Sequence, residues 1–196
     1  PSIVSVTGPD GLFTIDAFEA SMNGNKAVSE PGVEPARGVT WYQAKDACEA
    51  AGKRLCTEDE WLAACTGTVP IDDDHDGVFS NDTIEGREHS YGQHWREGWC
   101  ADSRKKGDAR PLITGEHPKC RTPEGIYDLE GVVKEWVGVT PDKAALKGGS
   151  YYSGNSARCA YHKDTESPEL QDESVGFRCC GGGDTSDEIA AAAGMS

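Results

Sequence analysis

The fold is decided by one stretch of sequence, residues 40–65, which reads TWYQAKDACEAAGKRLCTEDEWLAAC. The pattern Thr-x-x-Gln/Glu occurs in it twice, starting at Thr40 and at Thr57. In this pattern the threonine hydroxyl and the side chain three residues later each accept a hydrogen bond from a free backbone N–H. The sequence therefore predicts two short helices, which Gly52 and Gly67 would end in left-handed backbone.

Each predicted helix carries a cysteine on its apolar face. In the first helix Ala44 and Cys48 are four residues apart, and in the second helix Trp61 and Cys65 have the same spacing. Residues four apart lie on one face of a helix. Both cysteines are therefore expected to point toward the interior, where they can meet other parts of the chain.

Strand signals flank this helical region. Residues 1–20 contain alternating apolar residues interrupted by the turn sequence GPDG, which predicts two strands. Residues 22–38 are rich in turn-forming residues and are predicted to be a loop. From residue 145 onward the segments LKGGSYY, ARCAYH and VGFRCC are typical of a closing sheet.

Four blocks of the sequence together resemble the formylglycine-generating enzyme family, also called the sulfatase-modifying-factor domain. The blocks are GVTWYQAKDACEAAGKRLCTEDEWLAAC, EGIYDLEGVVKEWVG, KGGSYYSGNSARC and GFRCC. They follow the family's order and spacing over residues 12–180. The resemblance implies an α+β single domain of the irregular, loop-rich C-type-lectin-like kind. We expect this domain at residues 1–180 and a Gly- and Ala-rich tail at 181–196.

The charge balance excludes some classes of partner. The chain has 19 basic and 34 acidic residues, for a net charge of −15. Such a field repels nucleic-acid backbones and anionic membrane surfaces, so we expect no nucleic-acid binding. No apolar run in the sequence approaches the ~20 residues that span a bilayer, which predicts no membrane span. A solvated acidic surface and a cation-binding surface are both compatible with this charge.

The eight cysteines predict a disulfide framework and an oxidising compartment. We expect an extracellular or periplasmic protein whose signal peptide has been removed. The resemblance implies two disulfides that tie the helices to the last sheet: Cys48–Cys179 and Cys65–Cys159. The position of the other four cysteines favours two further bonds: Cys100–Cys120 and Cys56–Cys180. The alternative for one of these pairs is a zinc site made by His94, Cys100, His117 and Cys120, although its spacing fits no common zinc module.

The resemblance also bears on catalysis. Formylglycine-generating enzymes use two cysteines in the loop after the Gly-Gly-Ser block, where thiolates can hold a copper ion. Here Ser153 stands at the first of these positions, and the segment of the second, residues 154–157, is shortened. We therefore expect no catalytic residues and no copper at this loop. Its candidate binding residues are Tyr151, Tyr152, Ser153 and Asn155, although aromatic residues in such folds are more often core.

Residues 72–82, DDDHDGVFSND, form the one ligand-like constellation in the sequence. They match a calcium loop, with carboxylates at the first, third and fifth positions and a glycine at the sixth. Thr83 stands at the twelfth position, where such a loop normally has a glutamate. The expected calcium ligands are Asp72, Asp74, Asp76, Val78, Ser80 and Asp82. A solvated acidic loop is the alternative.

These observations favour a secreted, non-catalytic binding or assembly module. Its partner would be a protein, or a second copy of the chain engaged through the tail, where residues 189–193 offer a compact apolar surface. Two alternatives belong to other functional classes. One is a metal-dependent oxidase or hydroxylase with a relocated site, and the other is a calcium-dependent, lectin-like glycan binder.

Overall fold

A computed structural model describes residues 2–70, 85–164 and 167–182. These ranges contain two α-helices, α1 (Trp41–Ala50) and α2 (Glu58–Thr66). They also contain ten strands, which are β1 (Ile3–Gly8), β2 (Gly11–Asp16), β3 (Ala20–Asn23), β4 (Lys26–Ser29), β5 (Arg54–Leu55), β6 (Lys134–Val137), β7 (Ala145–Lys147), β8 (His162–Asp164), β9 (Val175–Phe177) and β10 (Cys179–Gly182). The predicted calcium loop, residues 72–82, lies outside the described residues.

The strands form three sheets within the described ranges. The first sheet has the order β1-β2-β10-β5 with antiparallel neighbours, and the second is the β3–β4 hairpin. The third has the order β8-β7-β6-β9, in which only the β6–β9 pair is parallel. With long irregular connections between short elements, the structure confirms the predicted loop-rich α+β single domain.

Both helices begin with the predicted caps. The Thr40 hydroxyl accepts a hydrogen bond from the Gln43 N–H at 3.0 Å, and the Gln43 side chain accepts one from the Thr40 N–H at 2.9 Å. Thr57 and Glu60 make the same reciprocal pair at 3.1 and 2.8 Å. The glycine that follows each helix has a φ of +72° or +76°. These local signals therefore fix where each helix starts and stops.

The structure differs from the sequence prediction over residues 22–38. A loop is predicted there, but β3 and β4 form a hairpin in which Asn23 pairs with Lys26. Its two-residue turn begins at Gly24, which has a φ of +64°. A two-residue loop with glycine is a hairpin signal. The strands on either side are only four residues long, too short for their alternation to be recognised.

Four disulfides include all eight cysteines of the chain: Cys48–Cys179, Cys56–Cys180, Cys65–Cys159 and Cys100–Cys120. The first two join α1 and the segment before α2 to β10, the third joins α2 to the loop after β7, and the fourth joins two loops. These are the pairs expected from the sequence. Because Cys100 and Cys120 are joined to each other, they are not available as zinc thiolates. Three of the bonds close loops of 94 to 131 residues. Chain-entropy estimates assign each such bond about 4–5 kcal/mol of stabilisation.

Three tryptophans anchor the core between the helices and the third sheet. Trp41, Trp61 and Trp136 are each at most 1% exposed. The indole N–H of Trp136 donates to the Val39 carbonyl at 2.9 Å, so this residue ties the third sheet to the segment before α1. Among the described residues, no helix is long and apolar enough to cross a membrane.

The C-terminal boundary of the domain also differs slightly from the expectation. Gly181 and Gly182 belong to β10, where they pair with Thr14 and Phe13 of β2. The first two residues of the expected tail are therefore part of the first sheet. The remainder of that tail, residues 183–196, lies outside the described residues.

Candidate functional site

The loop after the Gly-Gly-Ser block is held against the second block of the sequence. Gly148 and Gly149 have φ values of +88° and +83°, which favour glycine. A side chain at Gly148 would overlap the Leu129 carbonyl. The Tyr151 N–H donates to the Val132 carbonyl at 3.0 Å. The two glycines thus allow the loop to approach residues 129–132 closely.

Ser153, at the position of the family's first reactive thiol, is used by the loop itself. Its hydroxyl oxygen accepts a hydrogen bond from the Ser150 N–H at 2.8 Å, and its own N–H donates to the Ser150 carbonyl at 3.1 Å. Residues 154–156 form a short 3₁₀ turn. Cys159, the next cysteine along the chain, is bonded to Cys65. This loop therefore presents a hydroxyl group where the resemblance implies a thiol.

Tyr151 belongs to the core, although it is a predicted binding residue. It is 1% exposed, and its hydroxyl donates to Glu173 at 2.6 Å while accepting from the Gly107 N–H at 3.0 Å. The ring therefore packs the loop against two distant segments of the chain. Of the other predicted binding residues, Asn155 is exposed and Ser153 is half-buried.

Tyr152 is half-buried and has two lysine side chains near its ring. The Nζ atoms of Lys106 and Lys134 are 5.6 and 5.3 Å from the centre of its ring. Lys134 also donates to the Tyr152 hydroxyl at 3.3 Å, and Ser174 lies 3.4 Å from the same oxygen. Burial acts to raise the pKa of Tyr152, but the hydrogen bonds with Ser174 and Lys134 outweigh it and lower that pKa. Tyr152 is thus a half-buried aromatic side chain of this loop whose hydroxyl contacts a lysine and a serine.

A second cluster contains the only potential metal ligands grouped within the described residues: Cys65, Glu130 and Cys159. The two sulfurs are joined in a disulfide and so are not available as thiolate ligands. The Glu130 carboxylate accepts a hydrogen bond from the Ser90 N–H and contacts His89 Nδ1 at 2.8 Å. This buried carboxylate is therefore engaged by His89 and Ser90. The cluster gives no support to a relocated oxidase site.

The sequence prediction did not single out two basic side chains near this loop. Lys134 lies in the block EGIYDLEGVVKEWVG, and Lys106 belongs to the basic run formed by residues 104–106. The charged pair Lys134-Glu135 interrupts the apolar run of Val132, Val133, Trp136 and Val137, and this interruption is the available signal for Lys134. Lys106 has no such signal, because a short basic run is ordinarily a solvated surface.

The family described as a sulfatase-modifying factor enzyme 1-like domain matches residues 9–181. The chain belongs to the sulfatase-modifying factor family. This match covers the helices, the disulfides and the loop that contains Ser153, and it confirms the resemblance seen in the sequence. Membership of a sulfatase-modifying factor family fixes the scaffold, whereas activity depends on the residues of the site.

Among curated proteins, this sulfatase-modifying factor domain is 30% identical over 176 residues to the serine/threonine-protein kinase pkn1 of Chlamydia caviae, which is 80% of this chain and 26% of the relative. It is 26% identical over 166 residues to the inactive C-alpha-formylglycine-generating enzyme 2 of Bos taurus, which is 76% of this chain and 50% of the relative. The chain thus spans a quarter to a half of the length of these relatives.

Among solved structures, the sulfatase-modifying factor domain is similar to the crystal structure of CarF. The TM-score is 0.59 at 18% identity, and the match covers 93% of this chain and 98% of that one. At this identity the similarity shows the fold alone. It extends over nearly the whole chain, so the short elements and long connections described above are arranged as in a known protein.

Proposed function

We propose that this member of the sulfatase-modifying factor family is a non-catalytic binding or assembly module exported to an oxidising compartment. The observation that carries the proposal is the state of its thiols. All eight cysteines are in disulfides, and Ser153 occupies the position of the first reactive cysteine. Without thiolates this loop lacks the soft ligands that copper(I) prefers. A relative named as inactive supports the same conclusion.

Titration of free thiols in the denatured, unreduced protein tests this function. We expect no thiol per chain and no copper(I) retained after dialysis against a weak chelator. The matched control is Ser153→Cys, which should give one thiol per chain and shows that the assay detects a cysteine at this position. Two or more thiols in the unmodified protein, or conversion of a cysteine peptide to formylglycine, would contradict the proposal.

The binding surface that we propose contains Tyr152, Asn155 and Lys106, because these side chains are accessible and lie on loops of a disulfide-stapled scaffold. Tyr151 is left out since its ring is part of the core. A partly accessible aromatic ring with neighbouring lysines also favours glycan binding as a second candidate function. A glycan array with wild type and Tyr152→Ala, each with and without a calcium chelator, separates this function from protein recognition.

Self-association through the tail is the assembly mode that we propose, with a protein partner as the alternative. In the sequence the tail follows β10, whose first two residues are held by disulfides to α1 and to the segment before α2. Its root is therefore fixed in the first sheet, while its sequence provides an apolar run at residues 189–193. Calcium at residues 72–82 is a further proposal that rests on the sequence pattern alone.

A further inference from the structure

Lys147, the last residue of β7, is a buried amine without a hydrogen-bond acceptor. Its side chain is 0% exposed, and its Nζ atom makes no hydrogen bond within the described part of the chain. The nearest carboxylate oxygen in an ion pair is Glu58 Oε1 at 3.7 Å, and the centre of the Trp61 ring is 5.5 Å away. Burial lowers the pKa of Lys147 to about 8, although Glu58 opposes the shift. With that pKa, roughly a tenth of the amine is neutral at pH 7, and the neutral amine is the nucleophilic form.

Glu58, the first residue of α2, has a proton donor on the oxygen that faces Lys147. His162 Nδ1 lies 2.5 Å from Glu58 Oε1, and His162 Nε2 lies 2.7 Å from Asp164 Oδ1. The hydrogen bond with Glu58 is the main cause of a raised pKa of His162, and Asp164 acts in the same direction. The carboxylate at each ring nitrogen favours the protonated imidazole over the neutral one. Its Nδ1–H is directed at Glu58 Oε1.

Strand register brings these groups together. Lys147 lies opposite His162 of β8 on one side and opposite Glu135 of β6 on the other. Directly opposed residues of neighbouring strands share one face of a sheet. Glu135 is already occupied, because its carboxylate accepts hydrogen bonds from Arg178 at 2.9 and 2.7 Å and from the Trp61 indole at 2.8 Å. Glu58 is therefore the carboxyl group left for Lys147.

We propose that Lys147 and Glu58 become joined by an intramolecular amide bond. The neutral Nζ attacks the carboxyl carbon of Glu58, and His162 transfers its Nδ1 proton to Oε1. A C–N bond forms, the bond between the carboxyl carbon and Oε1 breaks, and Oε1 leaves as water with that proton and one proton from the amine. The amide keeps the other amine proton, and His162 ends neutral. No oxidant or cofactor takes part.

The site has the features that favour this condensation over hydrolysis. Two strands and a helix hold the amine and the carboxyl group close together. This positioning avoids much of the entropic cost of bringing two separate reactants together. The Trp61 ring covers one side of the amine. The Cys65–Cys159 disulfide links the same helix to the loop that follows β7. The amide bond would add a cross-link between helix and sheet that reductants do not break.

Intact mass spectrometry of the full chain, denatured and with its disulfides reduced, tests the proposal. The expected mass is that of the sequence minus one water molecule. After tryptic digestion, residues 55–87 and 144–158 should remain joined as one species, because an acylated Lys147 is not cleaved. Lys147→Met and Glu58→Ala should each restore the full mass. His162→Gln should reduce the fraction that has lost water.

The matched control is Lys163→Met, which removes the exposed lysine next to His162 and should keep the loss of water. The measurement on the unmodified protein decides the matter even if a variant fails to fold. A mass equal to that of the sequence, both directly after purification and after a week at 37 °C, would overturn the proposal. So would a loss of water that peptide mapping assigns to any other pair of residues.

Discussion

Replacement of Arg178 by methionine should destabilise this domain more than any change to a surface ion pair. Arg178 is 1% exposed and donates to both carboxylate oxygens of Glu135, at 2.9 and 2.7 Å. It also donates to the carbonyls of Asp16 at 3.1 Å and Tyr127 at 2.7 Å. Methionine keeps much of the side-chain volume but removes every donor. The Glu135 carboxylate is then left buried without a counter-charge.

The expected loss of unfolding free energy is about 3–5 kcal/mol, the range for removing one partner of a buried ion pair. The upper end applies because Glu19 and Asp128 also interact with this guanidinium. Burial raises the pKa of Asp128 to about 7 and that of Glu19 well above its ordinary value. Without Arg178 these pKa values rise further. The variant's folded state then keeps protons that the wild-type folded state has released, so the loss of unfolding free energy grows as pH rises above the folded-state pKa of Asp128 in the wild type, about 7.

Urea unfolding with intact disulfides, followed by circular dichroism at pH 5 and pH 8, measures this loss. With an m-value of about 2 kcal/mol/M, the midpoint at pH 8 should fall by about 2 M. The matched control is Arg37→Met, since Arg37 also pairs with a glutamate, Glu173 at 3.5 Å, but the two side chains are 35% and 53% exposed. Such a pair contributes up to about 1 kcal/mol. Equal shifts for the two variants, or a larger loss at pH 5 than at pH 8, would refute the reasoning.

Three further predictions use simpler measurements. Glu19→Gln should raise the melting temperature relative to wild type increasingly from pH 4 to pH 8. Both buried Glu19 oxygens lack hydrogen-bond partners among the described residues, and the raised folded-state pKa of Glu19 removes stability as pH rises. A difference that does not change with pH would contradict this. Asp74→Ala should abolish calcium-dependent protease resistance of residues 70–85 while Asp73→Ala keeps it, and an unchanged digestion pattern would leave a solvated acidic loop. Deletion of residues 183–196 should reduce the mass measured by light scattering to that of a monomer, whereas an unchanged mass would remove the tail from the assembly.

The parts of the fold that the sequence predicts well depend on short-range patterns. The two capping boxes need only a threonine and a side chain three residues later, so both helix starts are legible without any knowledge of the fold. The turn between β1 and β2 is equally local. The pairs Cys48–Cys179 and Cys65–Cys159 come from the family resemblance, because spacing alone leaves the connectivity open.

The binding loop shows why the rest could not be predicted. Tyr151 and Tyr152 are adjacent in the sequence, yet one is core and the other is half-buried. The difference arises from Glu173, 22 residues after Tyr151, and from the Gly107 backbone, 44 residues before it. No periodicity in the loop encodes those contacts. A tyrosine becomes core here only because two distant segments satisfy its hydroxyl.

Glu135, Lys147 and His162 form a row of charged residues across β6, β7 and β8, and the sequence alone does not predict this row. The sequence contains 19 basic residues, and nothing in its periodicity separates Lys147 from those on the surface. Once β7 is placed between β6 and β8, Lys147 has a glutamate on one side and a histidine on the other. Arg178 and Trp61 have already taken the glutamate. Glu58 is therefore the carboxyl group that remains for Lys147. The absence of a hydrogen-bonded partner distinguishes this lysine from one in an ordinary buried ion pair.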